Sequence, residues 1–105
     1  MSNIVPLTMN DATLRRRIAA AVANDSSRMI VPLHAKKRMR QRGVTDLQVL
    51  HVLRKGVTVE HAHLNIHGNW QCTLEALIAG DRIKVAAALI NTAPNESVVV
   101  ITVMN

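Results

Sequence analysis

At Gly56 the spacing of apolar residues changes period, and no other feature constrains the fold of this chain as strongly. Before that glycine the repeats are helical. Leu14, Ile18, Ala21 and Val22 recur at i, i+4, i+7 and i+8, which predicts a helix over about Ala12 to Ala23 capped by Asn10 or Asp11. Residues 1–7 read as a loose leader, and Asn24 to Ser27 as a connector. Met29-Ile30-Val31 is a short extended piece that Pro32 stops, and a second helix follows from His34 to Arg42, ended by Gly43. Thr45 and Gln48 form a capping box for a third helix, Asp46 to Lys55, closed by Gly56. Leu47, Leu50 and Leu53, widened by Val49 and Val52, give this helix its core face.

Beyond Gly56 the period is two. Val57 to Leu64 reads as a strand, with His67-Gly68-Asn69 as the hairpin tip. Trp70, Cys72, Leu74, Ala76 and Ile78 then alternate with Gln71, Thr73 and Glu75. Gly80-Asp81 turns the chain, and Ile83, Val85, Ala87 and Leu89 line the next strand. A second turn spans Asn91 to Glu96, and the apolar run Ser97 to Met104 suits a strand covered on both faces. The order predicts an α+β domain, with N-terminal helices packed on a four-stranded antiparallel sheet. One domain covers residues 1–105, with 1–27 as leader and helix and 28–105 as the α+β part.

Trp70 is the single aromatic residue, so the core must be aliphatic. The same scarcity argues against a stacking platform for single-stranded nucleic acid and favours phosphate or shape contacts. Cys72 is the lone cysteine, which excludes an intrachain disulfide and suits packing better than nucleophilic chemistry. No apolar run approaches a membrane span, and a cytoplasmic location is expected. P-loop, dinucleotide-binding, H-E-x-x-H and G-x-S-x-G patterns are all absent from the sequence.

Charge is unevenly placed. Eleven of the thirteen Lys and Arg residues fall in the first 55 positions against three acids (11 − 3 = +8), while the remainder carries 2 − 4 = −2. This points to a polyanionic partner, with RNA as the leading class. Arg15, Arg16 and Arg17 read as a solvated basic face. In the second helix, Lys36, Lys37 and Arg40 turn away from Ala35 and Met39, as nucleic-acid-binding charges on the solvent side. His34, Arg38 and Arg42 flank the seam where helix would meet sheet, and the plain alternative is a helix-start histidine with snorkelling arginines. A histidine with two arginines and no nearby carboxylate suits phosphoryl chemistry: imidazole moves a proton while guanidinium groups hold phosphate. Lys84 would add one charge to the open sheet face, and Thr102 is the lone polar residue of the last apolar run. His61 and His63 share strand parity and could reach one ion, but Glu60 points the other way and His67 lies at the tip. The plainer reading is a polar strand face beside a hairpin, so no metal and no cofactor is assigned.

The residues His34-Ala35, Arg38-Met39, Arg42-Gly43-Val44, the helix end Val52 to Gly56 and the terminal Val99 to Val103 resemble the domain of unknown function 4258 family. The resemblance covers about residues 30–104, and the H-A-x-x-R-M-x-x-R-G stretch is its most specific part. It implies kinship with RelE-like toxins and barnase-like ribonucleases, and metal-independent RNA cleavage in which a base activates the ribose 2′-hydroxyl. Carried over, His34 would be the base or acid, Arg38 and Arg42 would bind phosphate, and Thr102 would orient the substrate. Three readings follow: an endoribonuclease of the RelE-like toxin type, a non-catalytic nucleic-acid-binding module, and a module that docks an acidic antitoxin or immunity protein. The sequence leaves the oligomeric state open.

Overall fold

The structure, a computed structural model, describes residues 9–91 and 95–104. The leader and the middle of the second turn lie outside the described residues. The period change at Gly56 divides the fold as expected. Helices α1 (Asp11–Ala23), α2 (Leu33–Arg42) and α3 (Asp46–Lys55) precede strands β2 (Val57–Leu64), β3 (Trp70–Ile78), β4 (Asp81–Asn91) and β5 (Glu96–Met104). The sheet nevertheless has five strands. Met29–Ile30 forms β1 and pairs in parallel with Val98–Val99 of β5, giving the order β1-β5-β4-β3-β2. A two-residue strand has too little length to show a period, so the sequence marks it only as extended.

Local signals account for the helix ends. The Asn10 side chain accepts the Thr13 N–H at 2.8 Å and caps α1. Thr45 and Gln48 close both halves of the capping box on α3. Gly43 ends α2 at φ 67°, and the next N–H, from Val44, returns to the Met39 carbonyl at 2.9 Å. Gly56 is needed for a different reason. Its φ is −68°, but a Cβ there would lie 2.5 Å from the Val52 carbonyl oxygen and 3.1 Å from that of Glu75. The chain passes too close to α3 and β3 for any side chain.

One aliphatic core joins the helices to one sheet face. Leu14, Ile18 and Val22 of α1, Ala35 and Met39 of α2, and Val49, Val52 and Leu53 of α3 are buried with Leu74, Val85 and Val100. Burial of such side chains contributes roughly 1.5–3 kcal/mol each. Leu47 departs from expectation, because it is 77% exposed although it shares the stripe of Leu50. The opposite sheet face carries no helix among the described residues.

The last strand is likewise not covered by helices on both sides. Ala87 pairs with Val100 and Ala86 with Thr102, so Ile101 is an extra residue that reverses the alternation. Val98, Val100 and Val103 therefore face one core across the bulge, and Thr102 faces the open side. The β3–β4 turn sits one residue earlier than expected, at Ala79-Gly80, with φ 50° and 87°. Among the described residues no helix is long and apolar enough to cross a membrane.

Candidate nucleic-acid interface

The cations divide into two groups by what they touch. Arg15 Nη1 donates to the Gly56 carbonyl at 3.1 Å, and Arg17 pairs with Glu96 of β5. These two are anchors between α1 and the rest of the fold, which corrects the reading of a solvated basic face; only Arg16 of that run has no partner among the described residues. Arg54 donates through Nε and Nη2 to the Val22 carbonyl at 3.0 and 2.8 Å. It thereby satisfies the C-terminal end of α1, whose own last turn holds no basic residue. Arg28 lies 3.5 Å from Asp25, and Arg82 lies 3.7 Å from Glu75.

Helix α2 is the contrast. Lys36, Lys37, Arg38, Arg40 and Arg42 share it with His34 and no acid. Among the described residues none of these side chains makes a hydrogen bond or ion pair. All six are exposed, while Ala35 and Met39 hold the helix to the core. The expected seam of His34, Arg38 and Arg42 is therefore not a desolvated one: these side chains are as open as Lys36, Lys37 and Arg40. Five like charges on ten residues repel one another, so the helix carries a fixed field that only an external anion relieves.

The chain's path sets where this helix lies. The parallel pairing of β1 carries the chain along β5, and α2 then packs on that same strand. Thr102 of β5 is half-buried on the open sheet face, with no side-chain bond joining it to His34 or Arg38. Lys84 is exposed on that face, one cross-strand row away, since Lys84 pairs with Met104 and Ala86 with Thr102. The structure thus gathers the charges of α2 on one helix, which Ala35 and Met39 hold to the helix-covered side, and puts Thr102 and Lys84 on the other face of the sheet, so His34, Arg38 and Thr102 are not brought together. Depressions elsewhere on the described surface include one involving Arg17 and Glu96 and one at the α1–α3 seam. Neither includes a residue of α2 or Thr102.

Further pairings have no signal in the sequence. Asp11 bonds His61, and its second oxygen takes the Ala62 N–H. The Thr73 hydroxyl donates to Glu60 at 2.7 Å. Arg54 reaches Val22, as above. Strand register is the information that would have found the second pair, because Glu60 and Thr73 are direct cross-strand partners.

The histidines do not form one set. Register shifts either side of Glu60 break the parity of β2, so His61 turns to Asp11 while His63 pairs with Gln71. His67 sits in the turn, where its N–H is bound by Asn65. Among the described residues no group of three or more His, Cys, Asp or Glu is placed to hold a metal. Cys72 is 1% exposed, and burial pushes its thiol up to about 11, which keeps it protonated and unreactive.

With the geometry in place, comparison with known proteins gives one match. The family model described as domain of unknown function (DUF4258) matches residues 33–105. The chain belongs to that family. The DUF4258 match begins at α2 and leaves α1 and β1 outside, although Leu14, Ile18 and Val22 of α1 are fully buried in the same core. No curated protein and no solved structure matches.

Proposed function

We propose that this DUF4258 protein is a small RNA-binding protein that cleaves RNA without a metal ion, in the manner of RelE-like toxins. The reading places it in the cytoplasm and its fold with the RelE- and barnase-like ribonucleases. One observation carries it: the five cations of α2 have no partner in the described fold, whereas Arg15, Arg17, Arg28, Arg54 and Arg82 all do. Charges not used by the fold are free for phosphates.

In the cleavage step His34 takes the proton of a ribose 2′-hydroxyl. That oxygen attacks the adjacent phosphorus, and the bond to the 5′-oxygen breaks. The leaving oxygen takes a proton from solvent, and the products are a 2′,3′-cyclic phosphate and a 5′-hydroxyl. Arg38 and Arg42 hold the phosphate and offset its developing charge, Lys36, Lys37 and Arg40 track the backbone, and Thr102 and Lys84 meet the strand where it passes from α2 onto the open sheet face. Purified protein should degrade RNA in excess chelator, with a rate loss of roughly 100-fold or more in His34→Ala. RNA left intact at high protein concentration overturns the cleavage step.

A second reading is favoured by Ile30 at 39% and Leu33 at 71% exposure, two apolar side chains next to the cationic helix. An acidic antitoxin or immunity protein could cover both. Its signature is a stable protein complex that RNA does not displace, together with no cleavage.

A further inference from the structure

We infer that the open sheet face reads ribose hydroxyls along the cross-strand row Glu60–Thr73–Ala86–Thr102, and so makes the chain prefer RNA to DNA. This rests on the reading of α2 as a phosphate-binding surface.

The row follows from register. Glu60 pairs with Thr73, Thr73 with Ala86, and Ala86 with Thr102, across β2, β3, β4 and β5. Strands about 4.8 Å apart put the two threonines roughly 10 Å from each other, with Ala86 as a low floor between them. Thr73 is 2% exposed and Ala86 5%, on the side of the sheet without a helix. Glu60 lies over Thr73 through its hydrogen bond and is itself exposed.

The chemistry of the row is selective. The Thr73 hydroxyl occupies Oε1 of Glu60, while Oε2 has no partner among the described residues. An ionised carboxylate only accepts hydrogen bonds, so it repels a phosphate and favours a ligand that brings a donor. A ribose 2′-hydroxyl is such a donor, and deoxyribose lacks it. Glu75, the other carboxylate on this face, is engaged by Arg82, so Glu60 is the uncompensated one among the described residues. Thr102, on the strand of the row that α2 packs against, has a hydroxyl with no partner among the described residues, and it can donate or accept. Trp70 packs against the core, so discrimination by base stacking has no platform here.

The test compares single-stranded RNA and DNA of one sequence at one salt concentration, by fluorescence anisotropy, with His34→Ala in the background of every protein compared, the one wild type at position 60 included, so that the RNA stays intact. Wild type should bind RNA about tenfold more tightly, the scale of one charge-assisted hydrogen bond. Glu60→Ala should bring the ratio to within about twofold while DNA affinity holds or improves. Glu60→Gln, which keeps the shape, should retain part of the preference. Arg38→Ala should weaken both ligands alike. Equal binding of RNA and DNA by wild type, or an unchanged ratio in Glu60→Ala, overturns the inference and leaves the reading of α2 standing. Binding of neither nucleic acid overturns both.

Discussion

The carboxylate of Asp11 lies 2.7 Å from Nδ1 of His61, fifty positions away, and its other oxygen accepts the Ala62 N–H at 2.7 Å. The contact fastens the first turn of α1 to β2 at the irregular stretch where β2 loses register with β3. A bulge frees a backbone N–H from the ladder, and Asp11 supplies its acceptor.

This clasp predicts a pH window. The Ala62 N–H and then His61 hold the Asp11 carboxyl below its ordinary 3.8, and the hydrogen bond to Asp11 followed by its charge holds His61 above its ordinary 6.5. A lowered carboxylate contributes stability above its unfolded value and loses it as pH falls through the folded one. A raised histidine contributes below its unfolded value and loses it as pH rises through the folded one. Both contributions coexist between 3.8 and 6.5. Thermal melts of Asp11→Asn against wild type should differ most in that window and less on either side. A difference that does not vary with pH contradicts the clasp.

Gly56 predicts a packing cost. Replacement by Ala forces a Cβ against the Val52 carbonyl, and backbone must move to admit it. Gly56→Ala should destabilise by roughly 1–3 kcal/mol, measured by urea unfolding. Gly43 meets nothing within 4 Å, so Gly43→Ala should show only the conformational cost of its φ of 67°, about 1–2 kcal/mol.

Leu47 and Leu53 lie on one helix with opposite expectations. Leu47 is 77% exposed and Leu53 1%. Leu53→Ala should cost about 2–5 kcal/mol, and Leu47→Gln should stay within about 0.5 kcal/mol. Equal losses at the two positions would mean that Leu47 is covered by something in solution.

The contrast shows where sequence was legible. The switch of period at Gly56 located α3 and β2 because burial on a helix and on a strand repeat at different intervals. Periodicity reports direction around a helix, however, and not how far the core extends along it, so Leu47 was assigned inward. The same limit applies to β5, where an extra residue at Ile101 made one buried face look like two. Arg15, Arg16 and Arg17 are adjacent in sequence and identical in type, yet Gly56 and Glu96 occupy two of them. Those partners lie 41 and 79 positions away, beyond any local pattern. For α2 the local pattern is enough to find the charges, since nothing distant among the described residues reaches them. It did not reveal that His34, Arg38 and Arg42 stay open to solvent.

Binding of RNA by the unpartnered cations of α2 is tested most directly by its salt dependence. The logarithm of RNA affinity should fall linearly with the logarithm of salt concentration, with a slope of about −0.7 for each phosphate neutralised on a single strand. Replacing Lys36, Arg38 and Arg40 together by Ala should flatten that slope by about 2, while replacing Arg16 should leave it unchanged. A slope indifferent to the α2 substitutions, or no RNA binding at low salt, contradicts the claim.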